Sequence, residues 1–113
     1  MELNILRADP AGNITVFVLD PVEKAQRAAI AEKIMAIPAL KAEQVGYACA
    51  AEDDVDGHME MMGGEFCGNA TRAYGMYIAQ QKGGLSSVRL RVSGCDHAVT
   101  AQVDLKSGTA RAE

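Results

Sequence analysis

The sequence predicts an α+β domain in which a mainly antiparallel sheet wraps or packs on helices. Three observations carry this: short apolar or alternating runs suited to strands, two segments of helical spacing, and the order strands, helix, strands, helix, strands. The chain has 113 residues, 49% hydrophobic and 23% charged, with no tryptophan. That is enough for one aliphatic, methionine-containing core and too little for two. One domain over residues 1–113 is expected, with no linker, repeat or low-complexity tract.

Leu3 to Leu6 and Ile14 to Leu19 read as two strands of a hairpin across the turn-forming Asp9-Pro10-Ala11-Gly12-Asn13. Asp20 is placed to cap a helix, with Pro21 in its first position and Glu23 three residues after the cap, and the helix should end before Pro38. Val45 to Ala51 and His58 to Met62 form a second hairpin across the acidic loop Glu52 to Gly57. In the next segment Ala70, Ala73, Tyr74, Tyr77 and Ile78 recur at helical spacing from Asn69 to Gln81, and Gly83-Gly84 stops the helix. Two half-buried strands follow: Val88, Leu90 and Val92, then Val99, Ala101, Val103 and Leu105, joined by the turn Gly94 to His97.

A formal charge of −4, with Lys24, Arg27, Lys33 and Lys41 dispersed among carboxylates, gives no footprint for nucleic acid. No apolar run approaches the ~20 residues that cross a bilayer, and Met1 is not followed by a secretory pattern, so no membrane association and a cytoplasmic location are expected. Cys49, Cys67 and Cys95 are odd in number and contain no C-x-x-C pair, which fits free thiols in a reducing compartment. The acidic loop resembles the first half of a calcium loop, but Gly63 stands where a bidentate Glu is needed. His58 and His97 lack partners at metal-ligand spacing, and both read as strand or surface residues.

The stretch Gly63-Gly64-Glu65-Phe66-Cys67-Gly68-Asn69-Ala70-Thr71-Arg72 runs from a glycine-rich loop directly into a helix. It places a thiol at a helix N-terminus, where free amides and the positive end of the dipole favour anions. The amides of Gly68, Asn69 and Ala70 could hold a carboxylate there. A fixed carboxylate beside a thiolate is the arrangement that removal of an amino acid's α-proton requires, with base and carbon within about 3 Å. The same spacing also suits a small packed cysteine at a cap.

Glu65-Phe66-Cys67-Gly68-Asn69-Ala70-Thr71 resembles the first catalytic-cysteine motif of the diaminopimelate epimerase superfamily. Pro10-Ala11-Gly12-Asn13 and Val45-Gly46-Tyr47 are similar to that family's N-terminal substrate loop and its Gly-aromatic strand, and the order matches over essentially the whole chain. Together with Val92-Ser93-Gly94-Cys95 and Glu43-Gln44-Val45-Gly46-Tyr47, these motifs are most similar to the histidine racemases of opine metallophore pathways. Glu60-Met61-Met62-Gly63 replaces the Asn-Ala-Asp-Gly run of diaminopimelate epimerases, so a contact for that substrate is missing.

The resemblance implies half of a two-domain enzyme, a mainly antiparallel sheet wrapped around a central helix. It implies a pyridoxal-independent racemase or epimerase that needs no metal or nucleotide. Cys67 would be a base or acid at the α-carbon, Gly68 and Asn69 would bind the α-carboxylate through their amides, and Asn13 and Tyr47 would contact the amino-acid substrate. The second thiol would come from a homologous C-terminal half, since residue 113 falls near the point where that half would begin. A diaminopimelate epimerase or related isomerase half stays open as an alternative at this stage, and so do three others. A cysteine hydrolase would need an orienting histidine, for which only His58 and His97 are available. A non-catalytic carboxylate-binding module would keep the amides without the second thiol, and a homodimer could bring two Cys67 residues across one cleft. Cys49 reads as a core residue, and Cys95, in a turn, as exposed or structural.

Overall fold

The computed structural model describes residues 4–8, 14–52 and 54–112. β1 (Ile5–Ala8) pairs antiparallel with β2 (Thr15–Val18), the expected hairpin, while its turn, Asp9 to Asn13, lies outside the described residues. A 3-10 turn at Lys24–Gln26 leads into α1 (Arg27–Met35), which stops before Pro38 as expected. The start differs from expectation, because Asp20 is not the cap. Its carboxylate accepts instead from the backbone N–H of Asn4 at 2.6 Å and from Asn4 Nδ2 at 3.2 Å, so it ties the start of β1 to the end of β2.

β3 (Gln44–Cys49) and β4 (Gly57–Met61) form the second hairpin. Asp56 accepts from the Arg89 amide at 2.8 Å and Asp54 meets Arg91 at 3.2 Å, which fastens the acidic loop to the following strand. α2 (Gly68–Gln81) ends at Gly83 and Gly84, whose φ values of 87° and 94° suit glycine and halt the helix. β5 (Ser87–Val92), β6 (Val99–Asp104) and β7 (Thr109–Ala112) complete the chain, and β7 was not foreseen in the sequence.

The seven strands lie in chain order, β1 to β7, in one sheet curled into a half-barrel. The sheet is mixed rather than simply antiparallel, because β2 runs parallel to β3 and β4 parallel to β5. Each parallel pair is joined through a helix, which carries the chain back to the end where it started.

The two helices lie on opposite faces. Val16, Val18, Val45 and Tyr47 pack with Ile30, Ala31 and Ile34 of α1. Phe17, Met59, Met61, Leu90 and Ala101 pack with Ala70, Tyr74 and Ala79 of α2. β2 is covered on both faces, which explains why four successive residues are buried where a one-sided strand would alternate. α2 touches β4, β5, β6 and β7, and its Tyr74 ring lies 5.4 Å from Phe17 of β2. Burial in this face pushes the Tyr74 hydroxyl up to about 12, so it stays neutral.

Candidate active site

Cys67 is the N-cap of α2, with extended backbone (φ −132°, ψ 113°) and a half-buried side chain packed against the α2-side core. The approach to it is a tight turn off β4. Gly64 (φ 74°) donates to the carbonyl of Met61 at 2.9 Å, and Glu65 Oε1 accepts from the Gly63 amide at 3.1 Å. The Cys67 carbonyl starts the helix by accepting from the Thr71 amide at 2.9 Å and from Thr71 Oγ1 at 2.8 Å. The fully buried Thr71 hydroxyl thereby has a partner. The amides of Gly68, Asn69 and Ala70 have no acceptor among the described residues, the usual condition of a helix's first turn.

The thiol has one polar neighbour that the sequence reading did not single out. Gln44 Nε2 donates to Cys67 Sγ at 3.2 Å and to Thr15 Oγ1 at 3.0 Å. Thr15 and Gln44 are paired across β2 and β3, so the amide is held from the side. An N–H donor aimed at sulfur fixes the direction in which it points. A signal existed in sequence parity. Gln44 lies two residues from Gly46, whose missing Cβ would meet the Phe17 ring on the α2 side.

The other expected site residues divide. Asn69 and Gly68 share the helix terminus with Cys67. Asn69 Oδ1 accepts from Arg72, and the Arg72 guanidinium lies over Gly68, with Nη1 3.2 Å from where a Cβ would stand. This brings a cation up to the free amides, an addition to what the sequence suggested. Tyr47 is placed apart from them, on the α1 face. It is 1% exposed, and its hydroxyl donates to the Arg27 carbonyl. Asn13 lies outside the described residues.

A cleft of about 320 Å³ opens beside the helix terminus, lined by Phe66, Gly68, Arg72, Cys95, His97 and Val99 among others. Cys95 Sγ is 3.8 Å from both ring nitrogens of His97, whose Nδ1 is 2.9 Å from Asp96. Among the described residues no hydrogen bond joins either imidazole to Cys67: His58 is turned toward Glu60 on the α1 face at 3.4 Å, and His97 is engaged by Asp96 and Cys95. The orienting histidine of a cysteine hydrolase is therefore not at hand.

Cys49 occupies different chemistry. It lies under Arg27, whose Nη2 is 3.7 Å from its sulfur, while Arg27 also pairs with Glu60 and stacks over the Tyr47 ring at 5.3 Å. Burial, and then the charge of Glu60, push the Cys49 thiol up against the smaller pull of Arg27. The hydrogen bond from Arg27 holds the Glu60 carboxyl below the usual carboxylate range.

Residues 2–112 match the family described as the histidine racemase CntK N-terminal domain. The chain is 42% identical over 79 residues to a histidine racemase of Fusobacterium nucleatum, a match covering 68% of this chain and 27% of that protein. It is 34% identical over 99 residues to a histidine racemase of Staphylococcus aureus, covering 84% of this chain and 36% of that one. The chain thus spans about a third or less of the length of the curated relatives it matches.

Proposed function

We propose, because this chain belongs to the histidine racemase N-terminal domain family, that it is the N-terminal half of a pyridoxal-independent histidine racemase with Cys67 as one of its two acid–base thiols. The observation that carries this reading is the placement of Cys67 Sγ, at the free-amide end of α2 and within 3.2 Å of the Gln44 N–H donor.

The α-carboxylate of histidine sits against the amides of Gly68 and Asn69, with Arg72 adding charge from the side. The Cys67 thiolate takes the α-proton: the C–H bond breaks, an S–H bond forms, and the electron pair spreads into the carboxylate. Helix-end amides stabilise that developing charge. A second thiol, from a homologous C-terminal half or a second copy, then gives a proton to the opposite face and becomes the thiolate. The direction reverses for the other enantiomer. Asn13 contributes a substrate contact, while Tyr47, buried on the α1 face with its hydroxyl on the Arg27 carbonyl, holds β3 against α1 and does not touch the substrate.

In this reading the chain is one domain, its curled sheet wraps α2 as the central helix, and the reaction needs no metal or nucleotide. Free thiols suit the cytoplasm, and no described helix is long and apolar enough to cross a membrane. The histidine enantiomer produced would feed opine metallophore synthesis.

The test uses the protein that carries this chain, wild type and Cys67→Ser, with L- and D-histidine in heavy water. Loss of the α-proton signal and decay of the optical rotation towards zero are followed together. Thiol-dependent exchange with inversion supports the reading. Wild-type protein that is folded and leaves histidine unchanged, while acting on another amino acid, would overturn the substrate and keep the reaction class.

A further inference from the structure

We infer that Ser93 and Gly94, at the end of β5, are positioning residues that set the place of the Cys67 thiol, an inference that rests on the racemase reading above. Ser93 Oγ accepts from the Met61 amide at 2.8 Å and donates to the Glu65 carbonyl at 2.6 Å. One hydroxyl therefore joins the last residue of β4 to the residue two before Cys67. The Ser93 amide donates to Met59 at 3.2 Å, which fixes Ser93 itself to β4.

Gly94 closes the other side. Its φ is 76°, and a Cβ built there would stand 2.3 Å from the Phe66 nitrogen and 2.8 Å from the Glu65 carbonyl carbon. No side chain fits at that distance, so the Glu65–Phe66 peptide lies directly on the Gly94 backbone. Without this wall the loop would be held mainly by a turn containing Gly63 and Gly64, the residue type with the most conformational freedom. Proton transfer depends steeply on placement, and a shift of about 1 Å costs on the order of 100-fold in rate. Neither residue touches the reacting atoms; both act through the loop that delivers the sulfur.

The test compares Ser93→Ala, Ser93→Thr and Gly94→Ala in the protein that carries this chain. Ser93→Ala is expected to lower kcat for histidine α-proton exchange by about 10- to 100-fold while KM changes by less than about twofold, because substrate binding by the helix amides is kept. Ser93→Thr keeps the hydroxyl and is expected to stay within about threefold of wild type, and Gly94→Ala is expected to follow Ser93→Ala. The rate of Cys67 alkylation by iodoacetamide, read on the Cys67 peptide by mass spectrometry, should change in Ser93→Ala and not in Ser93→Thr. Folded Ser93→Ala with unchanged kcat and unchanged alkylation overturns the inference, as does an equal loss in Ser93→Thr. If Ser93→Ala does not fold, Ser93→Cys, a weaker donor of similar size, replaces it in the same comparison. If wild type leaves histidine untouched, the racemase reading has failed, and the alkylation rates alone then decide whether Ser93 places the thiol.

Discussion

The three thiols share one small chain, and their surroundings set them different tasks. Cys67 has free amides ahead of it and an amide N–H of Gln44 on its sulfur, whereas Cys49 is held neutral by burial and the nearby Glu60 charge. At pH 8, Cys49 is therefore expected to be alkylated more slowly than Cys67, as peptide mass spectrometry of a time course will show. Replacing Gln44 with Ala removes one hydrogen bond to sulfur, an interaction of about 1–1.5 kcal/mol, and should slow histidine α-proton exchange roughly tenfold. Glu60 makes a separate contribution, to stability. Its folded-state pKa is depressed, chiefly by the Arg27 hydrogen bond, so its stabilisation is present above the unfolded value of 4.5 and is lost as pH falls through the lower folded value. Thermal melts of wild type and Glu60→Gln should thus differ at pH 7 and draw together as the pH is taken below 4.5.

At the scale of elements, α2 controls the site because its first turn carries the chemistry and its flank is seated on the sheet. Gly75 allows the close approach: a Cβ there would be 2.9 Å from the Ala101 Cβ and 3.4 Å from Leu90 Cδ1. Two effects oppose each other in Gly75→Ala. Helix propensity gains about 1 kcal/mol, while overpacking against β5 and β6 costs about 1–3 kcal/mol. Overpacking is expected to win, because Ala101 is fully buried in a strand and has little room to retreat. Urea unfolding should give a lower midpoint with an unchanged slope, and stabilisation by Gly75→Ala would show that the helix can lift.

The whole molecule is an open half-barrel, with β1 and β7 at its two edges. Phe66, beside the thiol, is 46% exposed, so an apolar ring stands at the mouth of the proposed site. One thiol reaches one face of the α-carbon, and inversion requires a second group on the other face. This chain by itself, if it sediments as a monomer, is therefore expected to leave the optical rotation of L-histidine constant, whereas a protein carrying both halves is expected to bring it to zero by racemisation. Sedimentation and polarimetry on the same samples check this. Inversion by a monomer of this chain would mean that the second proton comes from within these residues.

The sequence by itself determined the glycine loop entering α2, the limits of that helix, the β3–β4 hairpin and Cys67 at the N-cap. These depend on caps, turn residues and periodicity within a turn or two of the chain, so local physics suffices. It also left α1 ending before Pro38, for the same reason. Tertiary structure decided what depends on partners far along the chain. Asp20 could cap a helix or bind Asn4, and the approach of β1 chose the second. β2 and β4 became parallel to their successors only when α1 and α2 packed back on the sheet. β7, rich in alanine, has little pattern of its own and is made a strand by pairing with β6. Gln44 and Tyr47 are three residues apart on one strand, an odd interval, so the pleat turns one toward Cys67 and the other toward α1. Which face would meet which helix was not written in that interval; the register of β3 between β2 and β4, with a helix on each side, fixed it.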